Sequence, residues 1–201
     1  MQRVGNPRRK ESDENNAKKN TIQYKERDEQ RREAFIAEVE GLPEDSELYY
    51  GDESGFDEYY GREYGYAPRG EKVIGKVSGK HFARTNMIAA KTNSDVIASF
   101  AFSGTMNSDL FLGWLEHLFA PELKSPGKSV LFLDNATHHP KEAILEIAWE
   151  YGFRVMFIPP HSPDLNKPIE NFWANVKRRL RDHMHSFSSF WDAISHAFIS
   201  P

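Results

Sequence analysis

A chain of 201 residues is long enough for one sizeable domain with a flexible extension, and its lack of cysteine excludes disulfides and thiolate metal sites. Hydrophobic residues make up 39%, below the roughly 45–50% of globular domains. No apolar run approaches the roughly 20 residues of a membrane span, and Met1 is followed by no signal-peptide core, so a soluble cytoplasmic protein is expected. The formal net charge of −4 lacks the basic excess of a typical DNA-binding module, although Arg8, Arg9, Lys10, Lys18 and Lys19, and again Lys177, Arg178, Arg179 and Arg181, form local basic clusters.

Residues 1–23 are polar and of mixed charge, the composition of a disordered lead-in. Residues 24–40, with Phe35, Ile36 and Val39 at helical spacing, predict an amphipathic helix ended at Gly41. Strand-like runs follow at 47–52, 72–77, 86–91 and 96–102, spaced as in an antiparallel meander. Asn107 is placed to cap a helix whose apolar face carries Leu110, Phe111, Trp114, Leu115 and Leu118, with Pro121 beyond its end. The continuous apolar run 129–133 reads as a strand buried on both faces. A helix over 141–151 stops at Gly152, and a second buried strand over 154–158 stops at Pro159 and Pro160. Helices over 168–182 and 188–199 complete the chain. Leading strands followed by alternating helices and strands imply an α/β fold with a mixed sheet covered on both faces.

Three acidic residues fall where such a sheet brings residues together. Asp52 and Asp134 each end a strand, and ligands of open α/β sheets bind beyond the carboxyl ends of strands. Glu170 sits in the first turn of the helix after the last strand, beside the apolar stripe of Ile169, Phe172, Trp173, Val176 and Leu180. Three carboxylates at one sheet edge suit two-metal phosphodiester chemistry, which needs hard oxygen ligands. Taken alone, an Asp at a strand end is more often a turn residue or helix cap, and Glu170 reads as a favourable charge at a helix start.

The flanking residues carry more. The runs Gly51-Asp52-Glu53-Ser54-Gly55, Leu133-Asp134-Asn135-Ala136-Thr137-His138-His139 and Pro159-Pro160-His161-Ser162-Pro163-Asp164-Leu165-Asn166, then Pro168-Ile169-Glu170-Asn171-Phe172-Trp173, closely resemble the bacterial insertion-sequence transposases of the mariner-type superfamily. The segment 64–70 (YGYAPRG) resembles the same family, and the likeness spans roughly residues 24–199. It implies an RNase H-like DDE catalytic domain over 24–201, with Asp52, Asp134 and Glu170 as catalytic metal ligands for two Mg2+ or Mn2+ ions. It also implies hydrolysis at the ends of a DNA element and transfer of the 3′-hydroxyls into target DNA. The expected partners are double-stranded DNA with terminal inverted repeats, a TA target, and a second copy of the chain on paired ends.

Two departures stand out. Lys167 intervenes between Asn166 and Pro168, making the step from Asp134 to Glu170 36 residues, one more than is usual in the family. Residues 1–40 carry no helix-turn-helix pattern, so a separate helix-turn-helix polypeptide is a further expected partner. Both features favour the rival reading, an inactive remnant that only binds DNA or a partner subunit. Among the remaining residues, Asn135, His138, Lys177, Arg178 and Arg181 are candidate DNA contacts, with Arg62, Arg69 and Arg84 weaker ones. Adjacent His138 and His139 lack the spacing of a helical zinc site and read as phosphate contacts or exposed side chains. Asp164 or Asn166 is placed to cap the following helix.

Overall fold

The computed structural model describes residues 25–58, 68, 70, 72, 84–136 and 139–199. The lead-in expected over 1–23 lies outside the described residues, as do most of the segment 64–70 and of the strand expected over 72–77. Five strands, β1 (Glu47–Asp57), β2 (Arg84–Lys91), β3 (Val96–Ser103), β4 (Ser129–Leu133) and β5 (Arg154–Phe157), form one sheet in the order β3-β2-β1-β4-β5. β1, β2 and β3 are antiparallel neighbours, whereas β4 runs parallel to β1 and β5 parallel to β4.

The helices are α1 (Glu29–Glu40), α2 (Ser108–Trp114), α3 (Ala120–Glu122), α4 (Lys141–Tyr151), α5 (Lys167–His183) and α6 (Phe190–Ile199). A π-helical turn, Leu115–Phe119, joins α2 to α3. Among these described helices none is long and apolar enough to cross a membrane. Local chemistry sets the boundaries. The helix expected from residue 24 begins only at Glu29, because the Asp28 carboxylate accepts from the Arg31 N–H at 3.1 Å. Asn107 caps α2 as expected, accepting from the Leu110 N–H at 2.9 Å. Pro121 lies inside the final turn rather than beyond it, at a position where no N–H is needed. Gly152 ends α4 at φ 77°, a left-handed conformation that glycine adopts without penalty.

Side chains alternate across the strands and fill two layers. On one face Tyr49, Ile88, Leu131 and Leu133 meet Phe111, Trp114, Leu115 and Phe119, with Ile144 and Ala148 of α4. On the other, Phe56, Met87 and Ala89 meet Ile169, Trp173, Val176 and Leu180 of α5 and Ala193, Ile194 and Ala197 of α6. Beside them Phe35 of α1 covers Val130, Phe132, Met156 and Ile158. Side chains of this kind each contribute about 1.5–3 kcal/mol on full burial, so α5 is anchored by its stripe. Its polar first turn is left at the sheet edge.

Contrary to expectation, Asp52 does not end the first strand. β1 runs on to Asp57, because β2 continues to pair with it from Lys91 down to Arg84. What ends beside Asp52 is the parallel neighbour β4.

Candidate active site

The β1–β4 register pairs Tyr50 with Phe132. Two residues further along each chain stand Asp52 and Asp134, so the parallel strands deliver the two acids side by side. Their predecessors Tyr50 and Phe132 stack with ring centroids 5.0 Å apart, which places both acids on the α5 side of the sheet. Gly51 permits this close seam. A Cβ there would lie 2.8 Å from Leu133 Cδ2, inside any tolerable contact.

Glu170 joins them from the exposed border of α5. Asp52, Asp134, Asn135, Ser162, Asn166 and Glu170 line one cleft of about 420 Å3, walled otherwise by the turn after β5. Lys167 is absorbed as the first residue of α5, after a short 3-10 turn over Pro163–Asn166. The insertion therefore falls upstream of the α5 stripe and leaves Ile169 buried beside Glu170.

The electrostatics of the cleft are unbalanced. Burial pushes the Asp52 carboxyl up to about 7. A hydrogen bond from the Glu53 backbone opposes this, while the negative charges of Glu170, Asp134 and Glu53 add to it. The buried Oδ1 of Asn166, in the same cleft, accepts no hydrogen bond among the described residues. One buried carboxyl crowded by two exposed ones, beside an unsatisfied acceptor, offers the kind of oxygen donors that a hydrated hard cation takes. Among the described residues, no three His, Asp or Glu side chains converge tightly enough to enclose an ion unaided. Mg2+ commonly uses one or two carboxylates and completes its shell with water and substrate phosphate.

The remaining sequence candidates sort by position. Asn135 is exposed at the cleft beside Asp134. Lys177 lies on α5 with its ammonium 5.8 Å from the Phe56 ring, while Arg178 and Arg181 are exposed further along the helix. Arg84 packs over Gly55 and donates to Asn86 Oδ1 at 3.2 Å. His138, Arg62 and Arg69 lie outside the described residues.

Three features went unread in the sequence. Asp164 does not cap α5. Its carboxylate takes both guanidinium nitrogens of Arg32 from α1, one at 3.1 Å, with Arg27 3.9 Å away. Asn166 occupies the cap position but makes no side-chain cap bond. His139 is neither exposed nor at the cleft. It is buried against Phe111, with ring centroids 4.1 Å apart, and contacts Asp134 and Glu53. The pairings depend on contacts across 132, 5 and 86 residues, so local spacing carries no signal for them beyond the Asp134–His139 step.

Comparison with known proteins agrees with this architecture. The sequence matches the DDE superfamily endonuclease family over residues 47–191. The structure is similar to the mariner Mos1 paired-end complex with Mg, at 16% identity and a TM-score of 0.62, covering 90% of this chain and 62% of that one. It is likewise similar to the Mos1 paired-end complex with Mn, at 16% identity and a TM-score of 0.58, covering 90% and 63%. A simian T-cell lymphotropic virus intasome bound to PP2A regulatory subunit B56 gamma matches at 16% identity and a TM-score of 0.50, covering 78% and 48%. The chain thus spans less than two thirds of these structures, and no curated protein sequence matches it. The shared feature is the RNase H-like mixed sheet with helices on both faces. With both strand acids and Glu170 inside the matched region, the chain belongs to the DDE superfamily endonucleases.

Proposed function

We propose that this chain is the catalytic part of a DNA transposase that cleaves phosphodiester bonds at element ends and joins the freed 3′-hydroxyls to target DNA. Asp52, Asp134 and Glu170 are its metal-holding carboxylates. The observation that carries this reading is the convergence of Asp52, Asp134 and Glu170 on one cleft, where burial and the neighbouring negative charges push the Asp52 carboxyl up. An arrangement that is costly for the protein alone becomes favourable once a divalent cation shares the site.

Mg2+ or Mn2+, two ions in the full reaction, would supply activation of the attacking oxygen and neutralisation of charge on the leaving oxygen. The chain's own residues do the positioning. Asp52 and Asp134 present oxygens from the rigid β1–β4 seam, and Glu170 closes the site from α5. Asn166 offers a buried acceptor to a cation-bound water, and exposed Asn135 stands at the cleft mouth to meet a DNA phosphate. Lys177, Arg178 and Arg181 continue along α5 from Glu170 and are suited to hold the phosphate backbone leading into the cleft. Terminal inverted repeats as substrate, a TA target, a homodimer on paired ends and a separate helix-turn-helix polypeptide belong to the same proposal. The Mos1 complexes hold paired ends, and the inserted Lys167 leaves Glu170 at the cleft, which favours an active site over an inactive remnant.

The test is nicking of supercoiled plasmid in Mn2+ by the purified chain beside Asp134→Ala, with Mn2+ binding read on the same samples. Nicking by the parent that chelator and the substitution both abolish is the expected result. Loss of both nicking and Mn2+ binding in the parent would overturn the reading.

A further inference from the structure

The face of the sheet opposite the cleft holds a second set of polar groups that the proposed chemistry does not use. His139 follows Asp134 by five residues and turns back beneath it. Its side chain is 5% exposed, lies against the Phe111 ring of α2 and does not line the cleft. Its Nδ1 is 3.2 Å from Asp134 Oδ1 and 3.2 Å from the Asp134 main-chain oxygen. Both are acceptors, so Nδ1 carries a hydrogen. The Ala136 N–H donates to the same Oδ1 at 3.0 Å. On the other side of the ring, Nε2 is 3.8 Å from Glu53 Oε1. Glu53 follows Asp52 on β1 and, by strand alternation, faces α2. His139 therefore supports Asp134 from beneath the β1–β4 seam, with Glu53 as a neighbouring negative charge beyond hydrogen-bond distance, beside a small cavity of about 200 Å3 that Asp52 and Asp134 also line.

We infer that His139 is a positioning residue for the Asp134 carboxylate, setting the direction in which that group meets a divalent cation, with the Phe111 ring holding the imidazole in place. Two donors converge on Oδ1, and fixing one carboxylate oxygen fixes the direction of the other. Asp134 is half exposed on a chain that has just left its strand, and the two donors on Oδ1 orient its carboxylate. The ring has packing in abundance: Phe111 below, and a backbone acceptor that orients its Nδ1–H. Supports of this kind govern how well a carboxylate binds metal without touching the metal. The inference rests on Asp134 being a metal ligand, as proposed above.

Mn2+ affinity of the purified chain, read from the free-ion electron paramagnetic resonance signal, tests it without requiring turnover. Asp134→Ala serves as the control, and circular dichroism confirms folding. His139→Phe keeps the packing on Phe111 but removes the donor, and is expected to bind Mn2+ about 10–100-fold more weakly. His139→Asn places an amide N–H near the Nδ1 position and is expected to stay within about threefold of the parent. His139→Gln places its donor toward Glu53 and is expected to resemble His139→Phe. Should His139→Phe fail to fold, the contrast between the two amides carries the test. Equal affinities for the Asn and Gln variants, with Asp134→Ala inactive in binding, would overturn the role of His139 alone. Absence of Mn2+ binding by the parent would overturn the carboxylate site and this inference with it.

Discussion

Asp52 and Asp134 stand side by side at the seam of β1 and β4, two residues beyond the paired Tyr50 and Phe132. They come from segments 82 residues apart in sequence and line the same cleft. Parallel register alone produces this juxtaposition, and α5 adds Glu170 to it.

Asp52→Asn should stabilise the chain in the absence of divalent cations. The folded carboxyl has its pKa raised from 3.8 to about 7, so the folded state binds more protons than the unfolded state in that window. Stability therefore falls as pH rises from about 4 to about 7. At about 1.36 kcal/mol per pH step, the gain in the variant is at most about 4 kcal/mol above pH 7 and vanishes near pH 4. His139, on which burial presses downward but Asp134 and Glu53 press upward more strongly, sits at about 9 rather than 6.5. Its own contribution is lost between those values, so the range from 4 to 6.5 isolates Asp52. Urea unfolding across pH measures both, and a pH-independent difference between parent and variant would refute the prediction.

Saturating Mn2+ should narrow that difference. Binding to the folded state alone stabilises by about 2.7 kcal/mol at one hundred times Kd. The parent is expected to gain melting temperature with Mn2+, while Asp52→Asn gains little. Parallel thermal melts with and without chelator decide it.

Gly51→Ala should damage both stability and the site. The new methyl would meet Leu133 Cδ2 at 2.8 Å and Leu131 Cδ1 at 3.3 Å, both within the core layer under α2. Overpacking of this sort costs about 1–3 kcal/mol, and any widening of the seam separates Asp52 from Asp134. Reduced urea midpoint together with weakened Mn2+ binding is the expected pair of results.

The Arg32–Asp164 pair should couple α1 to the turn that walls the cleft. Arg32 is largely buried at 13% exposure and the interaction is two-pronged, so it should exceed the median surface pair. A double-mutant cycle with Arg32→Ala and Asp164→Ala, read by chemical denaturation, should return a coupling of about 1 kcal/mol or more. Additive effects would mean that α1 does not brace the turn.

Replacing Lys177, Arg178 and Arg181 together with Ala should weaken DNA binding uniformly across sequences. For every phosphate that is no longer neutralised, the slope of log affinity against log salt should become shallower by about 0.9. Fluorescence anisotropy with duplex DNA at several salt concentrations measures this, and an unchanged slope would remove α5 from the DNA path.

The sequence by itself determined the elements with strong local signals. β4 and α4 occur within the limits expected, since a five-residue apolar run and a helix closed by Gly152 carry their own boundaries. The stripe Ile169, Trp173, Val176 and Leu180 marked the buried side of α5, and the motifs around Asp52, Asp134 and Glu170 marked the family. Only the tertiary structure decided how far β1 runs, because its second half is held by pairing with β2, a strand that starts 27 residues after β1 ends. It also decided the fate of Lys167, whose effect depends on where the α5 stripe locks against the sheet. His139 and Asp164 were misread for the same reason. A histidine or an aspartate next to a turn has several local partners to choose from, and which one it takes depends on Phe111, Glu53 and Arg32 arriving from distant segments.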